Sequence, residues 1–277
     1  MSQGAIEFRV SAMGGMVPVY VMVASGLIAV TLYALRGGLV GRNRLAIVGL
    51  DATGLGMGLL AILVAGYLWG PLYGFGIILA VMIHEFGHVA AFRVCGHSDA
   101  RFRLIPLLGG VAISDSQPVS QMKDFFITLL GPGISVAPMA AAFTMAALVQ
   151  DSAPVVAEFL WVFATVSAVL NFLNLLPFWP LDGGRMVRIL AFRFGPGVAH
   201  RVTVLMSAGL AVAAVMQQSM ILFVFALVGA QSIMQADGLS RVQRPMSWGQ
   251  WGWSLAAYLF TGAAHFYGAR PFLMPYL

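Results

Sequence analysis

Charge is what this chain has least of. Only 9% of its 277 residues are charged while 60% are hydrophobic, and the mean hydropathy is +0.89. A water-soluble globule is excluded, because too few polar groups exist to cover one. The single cysteine, Cys95, rules out an intrachain disulfide framework and reads as a packing residue. Acids are scarcer than bases, ten against fifteen, for a formal charge of +5. A nucleic-acid binder gathers its basic residues on one solvated face. Here the arginines fall in the gaps between apolar runs, which is how topology signals are distributed. The expected partner is a lipid bilayer and not a nucleic acid.

With roughly 20 apolar residues needed per span, the sequence predicts membrane helices over about 16–35, 46–69, 71–92, 125–148, 155–177, 199–217 and 219–236. The first run is too long for the ~7 to 15 residue core of a cleavable signal peptide and reads as a retained helix. Arginine or lysine follows the first, third, fifth and seventh runs, while the connections around Gly70, Asp151 and Gln218 carry none. By the positive-inside rule the N-terminus lies outside and the ends of the third, fifth and seventh helices face the cytoplasm. Compact loops point to a prokaryotic inner membrane. The stretch from Ala100 to Ser116 is too short and glycine-broken to span. It reads as a re-entrant hairpin turning at Gly109 and Gly110, since irregular backbone at membrane depth must be covered by protein or a wet cavity; a plain surface loop is the other reading. Trp248, Trp251 and Trp253 near the end suit the headgroup interface. The fold class is thus an all-α polytopic membrane protein with about seven transmembrane helices and a short re-entrant β-hairpin. Residues 1–70 form accessory N-terminal helices, 71–190 a core, 191–236 C-terminal helices and 237–277 an interfacial tail.

The chemistry is concentrated in "VMIHEFGHVAAF". No charged residue occurs between Asp51 and His84, yet His84, Glu85 and His88 follow together. Ionisable groups at membrane depth are costly and call for a partner. On a helix His84 and His88 share one face, so two imidazoles can converge on a cation while Glu85 stands beside them as the base that takes a proton from an attacking water. Catalytic zinc usually has three protein ligands. Position 94, where another protease pattern has a further histidine, is Val94. His97, His200 and His265 read as loop or interface residues, Glu158 falls at the outer end of its helix, and Asp99, Asp115 and Asp124 read as solvated. Asp182 in "NLLPFWPLDGGR" remains. Pro177 and Pro180 stop the preceding helix, and Gly183 and Gly184 permit a sharp turn, so the carboxylate comes from an irregular segment on the same side as the end of the HEFGH helix.

"HEFGH" on one membrane helix, "LLGPG" at 129–133 and "NLLPFWPLDGG" on a later helix resemble, in that order, the site-2 protease family of intramembrane zinc metalloproteases. The resemblance spans about residues 71–190. It implies one zinc ion per chain bound by His84, His88 and Asp182, with Glu85 as general base or acid, and a transmembrane protein or peptide as substrate. The family's Asn-x-x-Pro-x-x-x-Leu-Asp-Gly pattern makes Asn174 a candidate for substrate contact, with interhelical hydrogen bonding the other reading for it and for Asn171. Substrate strand addition at the hairpin implicates Leu108, Gly109 and Gly110. "GPG" at 131–133 reads as a helix kink or close packing point. The chain has no room for the PDZ or CBS domains of some relatives, so regulation is expected from a separate partner or the N-terminal helices. The competing functions are an inactive protein of the same fold that binds helices or peptides, and a metal-ion transporter. Retention of Glu85 argues against the first, and ionisable residues gathered at one end argue against the second.

Overall fold

The computed structural model describes residues 17–38, 47–48, 59–60, 63–64, 66–67, 70–105 and 109–273. In chain order these form α1 (Val17–Ala34), β1 (Ile47–Val48), α2 (Pro71–Val94), β2 (Arg101–Ile105), β3 (Gly109–Ile113), α3 (Gln121–Val149), α4 (Pro154–Asn174), α5 (Asp182–Phe192), α6 (Pro196–Met216), α7 (Met220–Val242) and α8 (Trp248–Leu273). Among them, four helices are long and apolar enough to cross a membrane: α2, α3, α4 and α6. The protein is a mostly helical, multi-pass membrane protein.

The core is the packed group α2, α3 and α4, closed by α8. Small residues set the spacing. A methyl group at Gly87 of α2 would run into the Leu130 carbonyl oxygen of α3 and lie 2.6 Å from Ile134 Cγ2, so the two backbones touch as membrane helices do where glycine permits. Ala80, Met139, Phe163, Ala164, Ala168 and Ala269 form one apolar cluster that joins all four helices. Prolines open α2, α4 and α6, where the lost N–H would have no helical partner anyway.

Several sequence expectations change. Ile47–Val48, expected within a helix over about 46–69, instead pairs in parallel with Phe102–Arg103, while residues 59–60, 63–64 and 66–67 are helical; this β-branched pair finds a strand partner that a scan of hydropathy does not see. Residues 49–58 lie outside the described residues. β2 and β3 pair antiparallel from Arg101↔Ile113 to Ile105↔Gly109. Gly109 and Gly110 therefore stand inside β3 and not in the turn; the connection at 106–108, with Leu108, is outside the described residues. A further helix, α5, lies between Asp182 and Phe192, its two early glycines having disguised it. The tail forms the 26-residue α8, which packs along α3 and α4. Trp251 Nε1 donates to the Leu190 carbonyl at 3.0 Å, and Tyr258 Oη to the Leu175 carbonyl at 2.7 Å. The polar atoms that lower its hydropathy are spent on these contacts.

Candidate metal centre

α2 runs unbroken through the HEFGH stretch, so His84 and His88 stack one turn apart with ring centroids 4.8 Å apart at 82°. Asp182 arrives from α5. The chain leaves α4 at Leu175, crosses the proline-bearing segment 176–181 and re-enters a helix with Asp182 as its first residue. The carboxylate thus opens a helix, where the N-terminal partial charge favours an anion, instead of hanging from an irregular loop. Gly183 and Gly184 are not there for a left-handed turn, since neither has a positive φ. Methyl groups on them would collide with the carbonyls of Leu175 and Phe178. Their smallness lets α5 start hard against the end of α4.

The result is a triangle. His84 Nε2 lies 3.2 Å from Asp182 Oδ2, His88 Nε2 lies 3.4 Å from the same oxygen, and the two Nε2 atoms are 3.2 Å apart. The far ring atoms fix the tautomers. Asn171 is fully buried; its Nδ2 donates to the Ser167 carbonyl at 2.7 Å, which turns its Oδ1 toward His84 Nδ1, also at 2.7 Å. His88 Nδ1 faces the Ile127 carbonyl at 2.8 Å. A carbonyl or amide oxygen can only accept, so both Nδ1 atoms carry hydrogen and both Nε2 atoms present lone pairs. Three electron-rich atoms then face one another. A single proton answers one of those contacts, whereas a cation at the centre answers all three. Tetrahedral bonds of about 2.0–2.2 Å place neighbouring donors about 3.3–3.6 Å apart. The observed edges fit that closely, and nitrogen, nitrogen and carboxylate oxygen are a zinc-type donor set.

Glu85, half-buried, stands next to this cluster and close to the Ala112 backbone amide of β3. Gly131 of α3 lies flat under His88: a methyl group there would overlap Nε2 and Cε1 of the ring and come 2.9 Å from Cδ2. The "GPG" stretch is therefore a seat for a ligand. Asn174 ends α4, half-buried; Asn171, one turn earlier, is the asparagine that meets His84.

Two residues read as peripheral lie inside. Asp124 is buried, 7% exposed, on the first turn of α3, where Arg185 and Gln243 both bind its carboxylate, the former at 2.5 Å and the latter at 3.1 Å. This ties α5 to α3 one turn beyond Asp182. His265 is fully buried on α8 and donates from Nε2 to the Pro132 carbonyl at 2.8 Å. By contrast, His97 pins its loop through Ser114 and Ser116, and Arg101 binds Asp115 with two hydrogen bonds of 2.7 and 2.9 Å.

Comparison with known proteins points the same way. The model of Peptidase family M50 matches residues 134–216, which include Asn171 and Asp182. "Putative zinc metalloprotease Rip3" of Mycobacterium tuberculosis is 33% identical over 121 residues, 42% of this chain and 30% of that protein. Over this part of its length the chain is similar to zinc metalloproteases of that family, as its resemblance to site-2 proteases implies. Stage IV sporulation protein FB of Bacillus subtilis is another relative, 28% identical over 127 residues, 46% of this chain and 43% of that one. The chain thus matches less than half the length of these curated proteins. The solved structure "Site-2 Protease from Methanocaldococcus jannaschii" aligns with 70% of this chain and 91% of its own, with a TM-score of 0.44 and 19% identity.

Proposed function

We propose that the protein hydrolyses a peptide bond of a membrane-embedded protein near the cytoplasmic face of a prokaryotic inner membrane. The observation that carries this reading is the triangle of His84 Nε2, His88 Nε2 and Asp182 Oδ2, whose edges of 3.2–3.4 Å suit one ion, with a carboxylate beside it. Those three residues would hold zinc, which supplies polarisation of the scissile carbonyl and acidification of a water molecule. Glu85 takes the water's proton and returns it to the leaving amine. Asn171 and Ile127 hold the imidazoles in the tautomer that keeps Nε2 free.

A helical substrate hides its backbone, so the scissile segment must unwind and its freed amides need partners. β3 is the edge strand of the described sheet, whose order is β1-β2-β3. Its Ala112 amide points outward to Glu85, so by the two-residue period the Gly110 amide points outward as well. The edge that carries Gly109 and Gly110 thus runs beside the reactive carboxylate and can receive a strand by addition. In this reading the hairpin is re-entrant, the N-terminus lies outside, and regulation comes through a separate partner.

Zinc per chain in detergent-purified wild type, Asp182→Ala and Glu85→Gln, paired with cleavage of a single-span reporter in liposomes, tests the assignment. About one zinc in wild type and Glu85→Gln but little in Asp182→Ala is expected, with cleavage in wild type alone. Undiminished turnover by Glu85→Gln would remove the base, and wild type that binds no zinc when supplied with it would remove the hydrolase reading.

A further inference from the structure

α8 reaches the metal centre without contributing a ligand. His265 is 0% exposed, nearly five turns into that helix, and its Nε2–H donates to the Pro132 carbonyl at 2.8 Å. Pro132 follows Gly131, the residue on which the His88 ring rests. The next carbonyl acceptor along that face of α3 that bears on the site is Ile127, which receives the other side of the same ring. α3 thus presents two backbone features to His88, a carbonyl at Ile127 and a bare α-carbon at Gly131. From outside, His265 holds the helix between Gly131 and the bundle. A histidine is an expensive way to fill space there. Its second nitrogen, Nδ1, is buried with no hydrogen-bond partner among the described residues, a costly arrangement for a buried polar atom. A residue that only packed would avoid this.

We infer that His265 is a positioning residue for the metal centre: its hydrogen bond to Pro132 fixes the Gly131 seat and, through it, His88. The inference rests on the proposed metal site. It assigns α8, which lies outside the stretch matched by the family model, a share in metal affinity that its distance in sequence would not suggest.

The test uses the full chain in detergent and reads affinity by competition with a chelator, the visible spectrum of the cobalt-substituted protein, and the thermal midpoint of the metal-free form. His265→Leu keeps the volume but removes the donor, His265→Asn shortens it, and His265→Gln places an amide N–H near the position of Nε2. Gly268→Ala is the control. It crowds Met139 Sδ at 2.8 Å and Ala168 Cβ at 3.0 Å on the same helix, away from the seat. Outer-shell changes weaken metal binding by about 10- to 100-fold, and for a residue one step further out the lower end, about tenfold, is expected of Leu and Asn, with a changed cobalt spectrum and substantial recovery in Gln. Gly268→Ala should lower the thermal midpoint and leave affinity and spectrum as in wild type. Wild-type affinity in His265→Leu overturns the inference while leaving the metal site standing, as does an equal loss in Gly268→Ala, which would make α8 packing the sole cause. A wild type that binds neither metal refutes the hydrolase reading and this one together.

Discussion

Replacing Gly131 by alanine adds one methyl group at the most crowded point of the centre. It would overlap Nε2 and Cε1 of His88, and ordinary carbon contacts need about 3.5–4.0 Å, so relief requires the ring or α3 to move on the order of 1 Å. α3 cannot retreat cheaply, because doing so would open its close contact with Gly87 of α2 and disturb the hydrogen bond from His265 to Pro132. The ring must move. Metal–ligand distances tolerate about 0.2 Å, so His88 is lost as a donor. Loss of a ligand should exceed the 10- to 100-fold effect typical of outer-shell changes, and we expect zinc affinity to fall by at least about 100-fold. Stability tells a different story. Overpacking costs about 1–3 kcal/mol, but alanine in place of a helical glycine returns about 1 kcal/mol, for a net loss of about 0–2 kcal/mol. The variant should fold, with a thermal midpoint near that of metal-free wild type, and bind no zinc at micromolar concentration. Chelator competition and thermal unfolding on the same preparation separate the two effects. Zinc affinity within about threefold of wild type, against the 10-fold minimum expected of a perturbed shell, would refute the reasoning.

Asn171→Leu leaves His84 without its Nδ1 partner and frees the ring to adopt the other tautomer; zinc affinity should drop about 10- to 100-fold by competition titration. Gly110→Pro deletes an outward amide on the edge strand, where proline leaves the β2–β3 ladder intact. Cleavage of a membrane reporter should fall markedly with zinc content unchanged, and equal turnover would count against strand addition. At the base of the hairpin, the Asp115 amide and Ser114 hydroxyl hold the Asp99 carboxyl below its ordinary value of 3.8. Because the folded value is depressed, this contribution is present above the unfolded value and is lost as pH falls through the folded one. The protection factor of the Asp115 amide should therefore be flat from neutral pH to about 5 and fall below about 4, whereas Asp99→Asn should abolish the dependence.

The histidines and both motifs were legible in the sequence because their periodicity and cost are local. A 3.6-residue period puts His84 and His88 on one face, and lipid makes an unpaired cluster untenable. Asp182 was reachable by elimination, but the helix it opens was not, since Gly183 and Gly184 depress the helical signal for the sake of a contact with Leu175 and Phe178. Asp124 was misjudged for a similar reason. Among polar neighbours in sequence it looked solvated, while its countercharge, Arg185, lies 61 residues away. The tail was read by its tryptophans, and the helix of 26 residues became visible only through the partners that its polar atoms meet on α3 and α4.

These misses share a cause. The proposed ligands are side chains, but what positions them is largely backbone: the Ile127 carbonyl behind His88 and the Pro132 carbonyl held by His265. Backbone groups leave no letter in the sequence. What they leave is the glycine that allows close approach, as at Gly131 and Gly87. A stretch such as "LLGPG" is ambiguous when read as a kink, because proline and glycine bend helices in many contexts. Read beside a histidine ring it has one meaning, and the prediction it makes is asymmetric. Substitutions that enlarge Gly131 should remove metal while sparing the fold, whereas substitutions at Gly268, which crowd Met139 and Ala168 instead of the rings, should do the reverse.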